Sequence, residues 1–140
     1  MKVDDLSKEL QKISKQHENF HNIFVIFDCF FSYDGTPMLF TAQLNNNSER
    51  VFFLETVSEN ENRLFICCHV KEPDYSFLVN NDISIWGYIR RNLAGFVEVN
   101  KKDVIVNYFY NSFENLDDNL LPIRQVGITL DFEVSDFIKN

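Results

Sequence analysis

The sequence predicts an α+β fold: a curved, mainly antiparallel sheet of about five to seven strands, a long N-terminal helix and one short helix near residues 84–93. Three observations predict it. Apolar residues recur at spacings of three and four over the first twenty positions, the period of an amphipathic helix. From Ile23 onward the period falls to two, and short apolar runs rich in Phe, Val and Ile alternate with clusters of Asn, Asp, Gly and Ser. The connections between those runs are short, as antiparallel neighbours require.

Taken in order, Val3, Leu6, Leu10, Ile13, His17 and Phe20 form one apolar stripe, with Asp4 and Asp5 available as caps, so a helix is expected over residues 5–18. "IFVIFDCFF" (23–31) is the first strand, and "YDGTP" (33–37) supplies turn residues before "MLFTAQL" (38–44). "VFFLETV" (51–57) and "RLFICCHV" (63–70) follow across the polar "NNNSER" and "SENEN", completing a four-stranded meander. Residues 71–82, with Pro73, read as a loop containing one helical turn. "SIWGYIRRNL" (84–93) reads as the short helix, capped by Ser84 or Asp82 and stopped near Gly95. "GFVEV" and "DVIVNYFY" (103–110) read as strands, and "VGITLDFEV" (126–134) as a last strand with Val126, Ile128, Leu130, Phe132 and Val134 on one face. The intervening "NSFENLDDNLLPIRQ" is a long acidic loop. No repeat, Gly/Ser linker or shift in composition divides the chain, so residues 1–140 are expected to form one domain, with helix 1–20 packed on or appended to a sheet module over 23–134.

A chain of 140 residues is long enough to bury about 70% of the surface its unfolded form exposes. Fifteen Phe, five Tyr and one Trp predict an aromatic core. Thirteen basic against 21 acidic side chains give a net charge of −8, which repels nucleic-acid phosphates and anionic lipid and attracts basic proteins. Three cysteines, Cys29, Cys67 and Cys68, lie in apolar runs and read as reduced core residues. Adjacent strand positions point to opposite faces, so Cys67 and Cys68 do not make a joint thiol site. No signal-like segment opens the sequence and no apolar run approaches the roughly 18 residues of a membrane span, so the expectation is a cytoplasmic protein without a membrane partner.

"YDGTPMLF" (33–40), "NNDISIWGYI" followed by "GFVEV", and "LLP" (120–122) followed by "GITLDF" (127–132) together resemble a family of small bacterial domains of unknown function, over roughly residues 24–133. Trp86 and Gly87 depart from it, standing where such domains often carry a basic and then an acidic residue. The resemblance implies an α+β fold with a curved antiparallel sheet, with its third stretch as the closing strand, and brings no catalytic or cofactor residues.

His17-Glu18-Asn19-Phe20-His21 matches H-E-x-x-H, which in zinc peptidases places two ligands and a base on one helix. Here His17 falls on the apolar stripe and His21 at the helix end, and the third ligand would have to come from His69 or a carboxylate, so a structural reading of the motif is preferred. Phosphate-cradling and nucleophile-elbow motifs are missing, and carboxylate pairs such as Asp117-Asp118 or Asp131 with Glu133 read as solvated charges. Arg90 and Arg91 beside Trp86 form the most concentrated positive charge; Trp86 half-buried under Arg90 is preferred to a nucleic-acid contact. The helix stripe Leu6, Leu10, Ile13 either packs on the sheet, the preferred reading, or pairs with a partner, a second copy included.

No enzymatic activity and no cofactor are expected. The preferred reading is an acidic protein-interaction module, an accessory or inhibitory factor in a bacterial or phage setting, with Leu6, Leu10, Ile13, Trp86, Arg90, Arg91, Asp117 and Asp118 as interaction candidates. The alternatives are a zinc-dependent hydrolase using His17, Glu18 and His21, and a nucleic-acid-binding domain centred on Arg90 and Arg91.

Overall fold

The N-terminal stripe folds as a helix, α1 (Asp5–Gln16). The computed structural model describes residues 5–16, 19–44, 49–56, 61–110 and 127–133. Beyond α1 the backbone opens at Asn19, which is extended (φ −70°, ψ 127°) and uses its side chain to accept from the His21 amide at 3.0 Å. Asn19 thus caps a separate four-residue turn, α2 (Phe20–Ile23), rather than continuing the first helix.

Six strands follow: β1 (Phe24–Tyr33), β2 (Thr36–Leu44), β3 (Arg50–Glu55), β4 (Arg63–His69), β5 (Leu93–Val99) and β6 (Ile105–Phe109). They pair antiparallel in sequence order, so the sheet is an open meander with β1 and β6 at its edges, and the fold is of the expected α+β class. Between β4 and β5 the chain leaves the sheet for α3 (Asp74–Val79) and α4 (Ile85–Asn92), then returns to pair with β4. The predicted Ser84 cap forms, its Oγ accepting from the Gly87 amide at 3.0 Å.

The doublets Phe52-Phe53 and Cys67-Cys68 explain why both sheet faces are covered. In β3 and β4 each residue of a doublet enters a different core, so both strands are buried on two sides and read as unbroken apolar runs. On the first face Leu6, Leu10 and Ile13 of α1, with Phe20 and Ile23 of α2, pack over Phe53, Phe65, Cys67 and Val97. Phe20 stacks on Phe65 (5.2 Å, 12°) and meets Phe53 edge-on (5.5 Å, 72°). On the second face Leu78, Ile85, Tyr88 and Ile89 cover Phe52, Leu54, Ile66 and Cys68. The Tyr88 hydroxyl donates to the His69 carbonyl, and burial pushes its pKa well up.

Three sequence expectations are corrected. Gly95 does not stop α4: Leu93 is already extended, and Gly95 lies inside β5 at φ +153°, with Tyr108 against it. Cys29 is exposed rather than core. Residues 127–133 form turns, not a strand, so the closing strand implied by the resemblance is not made there. Ile128, Leu130 and Phe132 nevertheless pack on the second core, and the Ile85 amide donates to the Ile128 carbonyl at 2.9 Å. Alternation there serves side-chain burial without a ladder partner; Val126, Val134 and the acidic loop carrying Asp117 and Asp118 lie outside the described residues. Leu6, Leu10 and Ile13 of the N-terminal stripe are 0–3% exposed and packed in the first core, so these three interaction candidates are buried. The described helices include none long and apolar enough to cross a membrane.

Candidate functional site

A cleft of about 540 Å³ opens on the first face beside β1, where α1 does not reach. Its floor is aromatic: Phe24 of β1, Phe40 of β2, Phe65 of β4 and Phe20 of α2. Its rim is charged, carrying His21, Arg63 and Asp103.

The turn between β5 and β6 places Asp103. Asn100 Oδ1 accepts from the amides of Lys102 (2.8 Å) and Val104 (3.0 Å), which closes the turn and puts Asp103 at φ +60°. The Asp103 carbonyl then accepts from the Phe20 amide at 2.6 Å, fixing α2 beside it. His21 Nε2 therefore lies 3.2 Å from Asp103 Oδ2, with the imidazole 65% exposed. Arg63, on β4, donates through Nε and a terminal nitrogen to both Glu55 oxygens (3.2 and 2.8 Å). Its other terminal nitrogen is 3.8 Å from Asp103 Oδ1, and its guanidinium carbon lies 4.8 Å from the centre of the Phe65 ring. Arg63 thus pairs bidentately with Glu55 and also faces Asp103, whose carboxylate lies between Arg63 and His21.

The adjoining β1 strand is the second unusual surface. It is ten residues long and has no strand partner on its outer side among the described residues, and Val25, Ile26 and Phe27 are 56, 47 and 53% exposed. Register shifts between Ile26 and Asp28 and between Cys29 and Phe31 bend it. At the first, the Asp28 amide bonds Thr41 Oγ1 (3.2 Å) and the Asp28 carboxylate accepts from Tyr75 (3.1 Å). Burial, with the Asp28 charge assisting, pushes the Tyr75 pKa up to about 12. The Arg50 guanidinium covers Phe27, 3.9 Å from its ring centre.

Of the described candidates read from sequence, His21 lies at this cleft and the others do not. Trp86 is half-buried in the second core, Arg90 is exposed on the same helix, and Arg91 pairs with Asp74 at 3.6 Å, all across the sheet from the cleft. Asn19 is extended, so α1 and α2 are separate helices, and of the H-E-x-x-H residues Asn19, Phe20 and His21 are described. His17 and Glu18 lie outside the described residues, and among those described no three His, Cys, Asp or Glu side chains are gathered to hold a metal. Sequence reasoning passed over Arg63, Asp103 and the exposure of β1; the one available signal was the Asn100–Asp103 turn, which says where the chain reverses and not what it reverses against. Comparison of the chain with family models, with curated proteins and with solved structures finds no match.

Proposed function

We propose that this protein is an acidic binding module that takes an extended, basic segment of another protein as a further strand on β1. The observation that carries this reading is the exposure of Val25, Ile26 and Phe27 on an edge that no described strand pairs. A long apolar edge strand attracts pairing, and proteins that do not use such an edge blunt it with lysine, proline, shortness or bulges; β1 is bent by bulges, but it has no lysine and leaves Val25, Ile26 and Phe27 exposed. Here β1 runs for ten residues and its own sequence holds one charge, Asp28. Strand addition supplies affinity through main-chain hydrogen bonds, and alternate side chains supply specificity. The net charge of −8 favours a basic partner and opposes edge-to-edge pairing of two copies.

A synthetic ten-residue peptide alternating valine with lysine tests this by fluorescence anisotropy. Binding is expected to weaken about ten-fold or more when Val25→Ser and Phe27→Ser are combined, which removes the apolar contacts without adding charge, with thermal stability kept because both side chains are exposed. Equal binding by the variant and the parent protein refutes the reading.

A further inference from the structure

We infer that Arg50 makes the β1 edge selective for a segment carrying a glutamate at one position, on the face of the sheet opposite the cleft; this rests on the strand-addition reading. Arg50 begins β3 two residues before Phe52 of the second core, so its side chain leaves the sheet on that second face. The register runs Val25, Gln43, Arg50 across β1, β2 and β3, which sets the Arg50 backbone about 10 Å inside the edge. Its guanidinium carbon nevertheless lies 3.9 Å from the centre of the Phe27 ring, so the side chain crosses β2 and delivers its charge to β1. Phe27 and Val25 are the most exposed apolar residues of β1, and the charge therefore stands at the margin that an added strand occupies.

That charge is uncommitted. Arg63 and Arg91 are paired with Glu55 and Asp74, at 2.8 and 3.6 Å. Arg50 makes no ion pair and no side-chain hydrogen bond among the described residues. Asp28, the single carboxylate of β1, accepts from the Tyr75 hydroxyl instead. Burial dominates the raised Tyr75 pKa and the Arg50 charge opposes it, so Arg50 is within electrostatic reach of that pair without bonding either member. A guanidinium resting on a ring keeps its N–H donors, a planar fork that matches a carboxylate. Side chains on adjacent strands meet directly or on the diagonal, and glutamate is long enough to reach a group held over Phe27. A lysine there would meet like charge, and a neutral apolar side chain would cover the donors without supplying an acceptor. The net charge of −8 opposes carboxylates in general, so a preference for one at a single position is a local property of Arg50.

Replacing each position of the valine–lysine peptide in turn by glutamate and by glutamine isolates the charge at nearly constant shape. By fluorescence anisotropy the parent protein is expected to bind glutamate about five-fold more tightly than glutamine at the position facing Arg50, and no more tightly elsewhere. Arg50→Gln, at an exposed site, should keep the thermal stability of the protein and remove that preference. Glutamine binding as well as or better than glutamate at every position overturns the inference and leaves strand addition standing. A glutamate preference that survives in Arg50→Gln overturns it too, since another group then reads the charge. If no peptide of the set binds, strand addition falls and the role of Arg50 falls with it.

Discussion

Replacing Gly95 by alanine would put a methyl carbon 2.6 Å from both Cε2 and the hydroxyl oxygen of Tyr108. Real side chains do not approach that closely, so the ring must move. It is held where it is by the hydrogen bond from the Tyr108 hydroxyl to the Ala94 carbonyl, 2.7 Å, and by packing on the first core. Three costs combine: overpacking of about 1–3 kcal/mol, a backbone at φ +153° that alanine disfavours by about 1 kcal/mol, and a weakened hydrogen bond of about 1 kcal/mol. The expected loss is about 3–5 kcal/mol, or about 10–17 °C in Tm for a chain of this size. Urea unfolding followed by Trp86 fluorescence measures it, since the single tryptophan is half-buried in the second core. A cycle with Tyr108→Ala isolates the cause: with the ring gone, Gly95→Ala should cost only the backbone share, about 1 kcal/mol. An undiminished cost in that background refutes the steric argument.

Other expectations follow from the same geometry. Ser84→Ala removes the acceptor of the Gly87 amide at the start of α4 and should cost about 1 kcal/mol in urea unfolding. Leu10→Ala, at a fully buried position of α1, should cost about 3 kcal/mol, whereas Lys12→Ala on the exposed side should stay within about 0.5 kcal/mol. A thiol reagent should label Cys29 alone in the native protein and all three cysteines in denaturant, because Cys67 and Cys68 are buried and Cys29 is not. Burial raises the Cys67 and Cys68 pKa values well above the ordinary 9.0, so the folded state keeps both protons while the unfolded chain loses them. Stability is therefore fully present below pH 9 and falls as pH rises beyond it, by about 1 kcal/mol per pH unit for each thiol. Comparing urea midpoints at pH 8 and pH 10 for the parent protein and for Cys67→Val with Cys68→Val checks this; an unchanged slope in the variant counts against it.

Much of the architecture is local and so was legible in the residues themselves. Spacings of three and four made α1, the Ser84 cap began α4, and short polar turns joined β1 to β4 as neighbours, because each depends on contacts within a few positions. The adjacent Cys67 and Cys68 were read as core residues on opposite faces, which they are, whereas the two-sided burial of Phe52-Phe53 came from the fold. Locality also explains the errors. The alternation over 127–133 is the same whether the apolar set lines a ladder or plugs a core, and only the second occurs there. Gly95 looked like a helix stop because glycine suits one, yet its use is to admit a ring from β6.

The candidate site belongs to the other category. Arg63, Asp103 and His21 come from β4, a hairpin turn and α2, separated by up to 82 positions, and no local period encodes their meeting. Nor does composition say that β1 stands at an edge, for a strand's place in the sheet depends on which neighbours it lacks. What the amino-acid order determined by itself is an acidic chain with an aromatic core, one amphipathic helix and a run of antiparallel strands. What only the assembled fold decided is which apolar residues stay uncovered and which charges share a rim, because exposure and charge pairing are properties of the whole packed chain.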